Sequence, residues 1–454
     1  MRKRVLAAAM AVTMTALTAC SGGGATSQTG ETQTTGAQAA ADSGEADGNE
    51  AEGTESTDSG EKVTLNLYWW GNQTRNDVTK QAVDLYMSQN PNVEIKVEFA
   101  DWSGYWDKMA AMAAGGNLPD IIQQDYSYIN QYQKSGQLAN LSEFIDSGII
   151  DVSNIPESVI ESGSIDGNCY ALSLGSNAPM MIYDKAAAEA AGLDLSGQMT
   201  LDELYDACQK VYDATGDKSI FDGGLTMLQM ISRANGSHLF DELNQSEDTA
   251  SLIHFENVEK FAQADFHISP DLLAETTNAI ETRPIVNGGT WNEFSFSNLF
   301  ISFSDLAGKE LGMTMYPIID GAKNQPMFLK PSMFFSIAET SQHKEEAAKF
   351  INWFTNSVEC NEILMAERGV PINTEVAEVI KPQMDEAYQI VFDYVAEVSE
   401  IATPIDDPDP NGKGEVEALC NTLVEDIRYG DTSAADAAAE FVTESNRILA
   451  EAAK

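Results

Sequence analysis

The sequence predicts an α/β protein of two lobes, each a mostly parallel sheet flanked by helices. Three observations point there. Short runs of alternating apolar residues recur between longer segments of helical spacing, the pattern of strands joined by helical crossovers. Residues 113–141 spell out helix end, strand, polar strand end and new helix in turn. A chain of 454 residues also exceeds the size at which one hydrophobic core usually stops growing.

In order, Val63, Leu65 and Leu67 alternate with Thr64, Asn66 and Tyr68, a first strand that ends in Trp69-Trp70-Gly71-Asn72. A helix with Val78, Ala82 and Leu85 on one face follows and stops at Pro91. Val93, Ile95, Val97 and Phe99 mark a second strand, and Asp101-Trp102 opens the next helix. Gly115 and Gly116 end that helix, since a C-terminus favours a residue at ease with positive φ. A short strand from Asp120 to Gln123 runs out at Asp125-Tyr126, where another helix begins; Gly136 stops it. In an open α/β sheet, ligands bind outside the carboxyl ends of the strands. Trp70, Asn72, Trp102, Asp125 and Tyr126 therefore stand together at a binding edge.

The run Ala114-Gly115-Gly116, Pro119-Asp120-Ile121-Ile122, Asp125, then Gly136-x-Leu138-x-x-Leu141 carries a resemblance. So do Tyr170-Ala171-Leu172 (with Ser173 where proline is usual), Met181-Ile182-Tyr183-Asp184-Lys185, Thr200-Leu201-Asp202-Glu203-Leu204, residues 332–354 and Arg368-Gly369-Val370-Pro371. Taken in order over 61–372, these resemble the extracellular solute-binding proteins of ABC sugar importers, family 1. The resemblance implies a two-lobed, periplasmic-binding-protein-like fold with the ligand cleft between the lobes. Residues 61–175 with 318–372 would form the N-terminal lobe, and 176–317 with 373–454 the C-terminal lobe. Gly175-Ser176-Asn177 lies at the crossing, a hinge candidate that brings Asn177 to the cleft. The family's aromatic-x-aromatic-Ser-Asn run matches Phe294, Phe296, Ser297 and Asn298 and implies stacking platforms from the second lobe. Phenylalanine makes a smaller platform than tryptophan, so Trp291 just upstream is expected to share that role. The spacing Trp-Trp-Gly-x-x-x-Arg adds Arg75 as a candidate contact, although its place in the first helical turn favours a local ion pair, and Arg368 is the other candidate cation at the edge.

The chemistry expected there is that of a neutral carbohydrate. An indole such as Trp70 offers a flat apolar face to the C–H face of a sugar, with burial of one or both of Trp69 and Trp70 in the core as the alternative, while Asn72 and the Asp125 carboxylate replace water around its hydroxyls. An acidic sugar would call for a bidentate arginine. The implied mechanism is lobe closure over the ligand and delivery of the closed form to a membrane permease. A cell-surface glycoside hydrolase and a ligand-sensing partner of a receptor kinase are the alternative classes.

The net charge of −45 and a pI near 4.1 argue against nucleic acid and anionic lipid surfaces as partners. Met1–Cys20 has a basic start (Arg2, Lys3, Arg4), an apolar run and Leu17-Thr18-Ala19-Cys20. This looks like a bacterial lipobox with Cys20 as the acylated N-terminus; a plain signal peptide cut after Ala19 is the alternative. Residues 21–60 hold no Val, Ile, Leu, Met, aromatic, Lys or Arg and read as a disordered tether, long enough for a Gram-positive surface. The expected state is a lipid-anchored monomer facing outside.

Cys169, Cys208, Cys360 and Cys420 are scattered, which indicates neither a zinc site nor a disulfide framework. The four histidines have no metal-like spacing, and no nucleophile-elbow, zincin, P-loop or dinucleotide motif occurs. A binding protein without cofactor is expected, not an enzyme. The acidic, Pro/Gly-rich stretch Pro404–Gly414 fits a solvated connector better than a cleft rim.

Overall fold

β1 (Val63–Trp70) buries alternate residues and lies between β2 (Val93–Ala100) and β3 (Ile121–Gln124), parallel to both. The computed structural model describes residues 62–243, 249–276 and 279–453. The signal segment, Cys20 and the tether lie outside the described residues. Three helices follow these strands in turn: α1 (Gln73–Gln89), α2 (Trp102–Gly115) and α3 (Tyr126–Lys134). Each has a side-chain N-cap, from Asn72, Asp101 and Asp125 respectively, and α2 ends on Gly116 at φ 65°. The buried face of α1 is Asn76, Thr79, Ala82, Val83 and Tyr86, rotated from the expected Val78-Ala82-Leu85 stripe. The rotation has a polar reason: Asn76 accepts the buried indole N–H of Trp69 at 2.9 Å.

A hairpin of β4 (Ser164–Ile165) and β5 (Asn168–Cys169) turns at Asp166-Gly167, both with positive φ. After it come β6 (Leu172–Ser173), β7 (Ser176–Asn177), β8 (Pro179–Asp184), β9 (Asn292–Phe296), β10 (Leu311–Thr314), β11 (Lys330–Pro331) and β12 (Phe334–Ile337). The first lobe's sheet has the order β2-β1-β3-β12-β6, with β12 antiparallel to both neighbours. The second lobe's sheet, β10-β8-β9, is antiparallel throughout, not mostly parallel as expected. Apolar alternation marks a strand but carries no sign of its direction, so the sequence pattern was silent on this point.

The lobes join where β7 and β11 cross antiparallel, Asn177 opposite Lys330, with Val370 bridging Ser176. Gly175 is required at this crossing. A Cβ there would stand 2.1 Å from the Arg368 carbonyl oxygen. The return to the first lobe is thus made at Lys330–Pro331. Residues 318–329, expected in the first lobe, bond instead to second-lobe backbone: Ile318 N–H to Met199, Lys323 N–H to Ala234, and Met327 C=O from Thr403. From Thr374 the chain is helical, ending in Lys413–Tyr429 and Ala434–Ala452, which pack on Thr249–Ala262. Among the described residues, no helix is long and apolar enough to cross a membrane, and the four cysteines there are buried free thiols.

Candidate ligand-binding cleft

β3 runs out at Gln124, and the next residue, Asp125, turns its carboxylate back to accept the Ser127 N–H at 2.9 Å. That cap fixes where α3 starts, and so where Asp125 and Tyr126 point. Both line a cleft of about 550 Å³. Asn177, Lys330, Pro331 and Ser332 form its hinge side, and Phe296 and Asn298 face it from the end of β9. The Ser332 hydroxyl oxygen is buried without a hydrogen-bond partner among the described residues. Five of the sequence-predicted residues thus meet here: Asp125, Tyr126, Asn177, Phe296 and Asn298. A larger cavity of about 940 Å³ lies on the far side of the 404–410 loop, lined by second-lobe residues and by none of the predicted ones. Only the smaller one is walled by both lobes and the crossing between them.

The other predicted residues lie elsewhere, each for a visible reason. Trp70 is only 8% exposed, its ring held by Trp102, Tyr105 and Trp106 at centroid distances of 5.0–5.5 Å. It is a packing residue and not an open platform. Trp102 is the exposed member of that cluster, at 44%. Trp291 is fully buried, with its indole N–H bonded to Ser219 Oγ at 2.8 Å, so it cannot stack on a ligand. Phe294 is buried against Tyr316. Asn72 is spent on capping α1, and Arg75 pairs with Glu367 at 2.8 Å.

Arg368 is no edge cation. It is 2% exposed, beneath β3, and donates to Gln123 Oε1 at 2.5 Å and Thr79 Oγ1 at 3.0 Å. Burial, with help from nearby Arg75, pushes its pKa down to about 9, which still leaves it charged at neutral pH. Gln123 in turn donates to the Trp70 carbonyl, and its own carbonyl accepts the Tyr105 hydroxyl at 2.6 Å. Arg368 and Gln123 therefore brace the strand ends from below.

The expectation of a solvated connector at Pro404–Gly414 is overturned. Asp406 is buried, its carboxylate bonded to Arg233, to Gln229 Nε2 at 2.8 Å, and 2.6 Å from His238 Nδ1. Arg233 also donates to the carbonyls of Pro326 (2.7 Å) and Pro404 (2.8 Å) and to Thr403 Oγ1 (2.6 Å). The loop so held forms the second lobe's wall of the cleft, with Asp406, Asp407 and Asp409 lining it. Across the cleft, the Tyr126 hydroxyl donates to the Asp406 carbonyl and ties the lobes together. Burial first, then Asp407, Asp406 and Asp409, drive the Tyr126 pKa upward, so the phenol stays protonated as a donor.

Residues 81–390, more than half the chain, match the family profile described as bacterial extracellular solute-binding protein. The chain belongs to that family. It is 24% identical over 323 residues to a maltotriose-binding protein of Pyrococcus abyssi, covering 68% of this chain and 66% of that one. It is 26% identical over 194 residues to an arabinooligosaccharide-binding protein of Halalkalibacterium halodurans, covering 41% and 42%. The match thus spans less than two thirds of the length of either relative. Among solved structures, a family 1 extracellular solute-binding protein from Alicyclobacillus acidocaldarius superposes with a TM-score of 0.81 at 28% identity, over 86% of this chain and all of that one. The family's two-lobed architecture is the one seen here.

Proposed function

We propose that this protein captures a carbohydrate, specifically an oligosaccharide, by closing two lobes over it, and presents the loaded form to the permease of an ABC importer. One observation carries the reading. Asp125 and Tyr126, at the end of a first-lobe strand, share a cavity with Phe296 and Asn298, at the end of a second-lobe strand, beside the crossing of the chain. A ligand touching both walls binds the closed arrangement better and shifts the population towards it. Maltotriose and arabino-oligosaccharides, named in the two relatives, head the panel to be titrated by calorimetry.

Asp125→Ala is expected to weaken the tightest of these by about 1.5–3 kcal/mol, the scale of a hydrogen bond to a charged group. Because Asp125 also caps α3, the unliganded fold should lose about 1 kcal/mol. Undiminished binding by Asp125→Ala would move the site out of this cleft. The protein acts as a binder without turnover, so chromatography of each sugar after prolonged incubation should recover it intact; cleavage products would favour the hydrolase class.

Anchoring by acylated Cys20 at the outer face of a Gram-positive membrane, as a monomer on the 21–60 tether, completes the proposal. Cys20→Ser should shift the protein from the membrane to the soluble fraction of cells. Retention on the membrane would refute acylation as the anchor.

A further inference from the structure

The charges around the cleft do not balance. Asp125, Asp406, Asp407, Asp409 and Glu417 line it, against Lys330 and Lys413. Lys413 is committed to Glu417 at 2.7 Å, and Asp406 is committed to Arg233 behind the wall. That leaves Asp125 and Asp407 on the cleft wall beside the ammonium of Lys330, which lies 4.8 Å from the centre of the Phe296 ring, and Asp409, whose carboxyl burial drives up while Lys413 and Lys330 oppose the rise. Among the described residues no arginine lines this cavity. Arg233 is held by the loop it supports, Arg75 by Glu367, and Arg368 is sealed beneath β3.

Resting on the carbohydrate reading above, we infer that this cleft selects its ligand by charge, admitting neutral saccharides and rejecting those that carry carboxylates. Recognition of a carboxylate calls for a bidentate guanidinium or an equivalent cluster of donors. Here a uronate would meet like charges on the first lobe at Asp125 and on the second at Asp407 and Asp409. Closure brings those walls together and excludes water, so the repulsion grows as the lobes shut. A neutral sugar meets the same oxygens as hydrogen-bond acceptors for its hydroxyls. Burial chiefly raises the pKa of the Tyr126 hydroxyl, and the three aspartates of the 404–410 loop add to that rise.

The test uses the full-length protein and three forms of one ligand: the tightest neutral oligosaccharide of the panel, the same sugar with a primary hydroxyl oxidised to carboxylate, and the uncharged carboxamide made from that acid. Trigalacturonate is titrated beside them. At low salt the carboxylate should bind about tenfold or more weakly than its parent, with the carboxamide close to the parent. Raising the salt, or introducing Asp407→Asn together with Asp409→Asn, should narrow the gap between parent and carboxylate. A carboxylate that binds as well as its parent, a carboxamide equally weakened, or a gap that neither salt nor the double variant moves would each overturn the inference. So would trigalacturonate binding more tightly than every neutral sugar, and that result would leave carbohydrate capture standing. No binding by any saccharide would sink the carbohydrate reading itself, and the charge rule with it.

Discussion

Arg233→Met is expected to destabilise the protein by about 3–5 kcal/mol and to abolish ligand capture. The magnitude is that of removing one partner from a buried ion pair, since the other is left charged in a poorly solvated place. Asp406 would keep only Gln229 and His238, and the carbonyls of Pro326 and Pro404 would lose their shared donor. Methionine preserves most of the buried volume, so the loss measures the polar hub more than a cavity. The loop released in this way is the second lobe's cleft wall and the acceptor for Tyr126, so binding should fail even where the fold persists. Urea denaturation gives the first quantity and calorimetric titration of the tightest panel sugar the second. A stability loss under about 1 kcal/mol with normal binding would show that the loop is not held from Arg233.

This hub was not legible in the sequence, and the reason is physical. The composition of Pro404–Gly414 is that of a solvated segment, and most such segments are solvated. What pins it is a guanidinium on a helix 173 residues earlier in the chain, a pairing that no local pattern encodes. The first three strands and their helices were legible, because alternation and helical spacing are local rules. Asp125 and Tyr126 were found by the rule that strands end at the ligand edge, which depends on topology and not on neighbours, and Phe296 and Asn298 by their match to the family's aromatic-x-aromatic-Ser-Asn run. Strand direction in the second sheet and the return crossing at Lys330 depend on partners distant in sequence, and both were misjudged. Arg368 shows the same limit in one side chain. Read from the sequence as an edge cation, it has its guanidinium enclosed by Phe335, Phe354, Gln123 and Thr79.

Trp70 and Trp102 form a pair in which one substitution should cost the fold considerably more than the other. Trp70→Ala is expected to destabilise the protein by about 3–5 kcal/mol, the range for truncating a buried aromatic. Its indole is the centre of a cluster with Trp102, Tyr105 and Trp106, and Trp106 continues it to Tyr128 on α3, with ring centroids 3.8 Å apart. The void would open in a cluster that reaches Tyr128 in the first turn of α3, three residues after Asp125, so ligand affinity should fall as well, through loss of positioning. Trp102 is exposed over nearly half its surface and meets Trp70 and Trp106 edge-on and Tyr128 at a tilt, so Trp102→Ala forfeits three half-exposed aromatic contacts, on the order of 1–2 kcal/mol in all and less than the loss at Trp70. The measurements are thermal melts of both variants without ligand, beside titrations with the same sugar. If Trp70→Ala melted like the parent and lost only binding, its ring would be a ligand platform after all and the packing assignment would fall. If Trp102→Ala bound more weakly by more than its stability loss explains, the exposed indole, one of the edge residues read from the sequence, would be the stacking surface in place of Trp70.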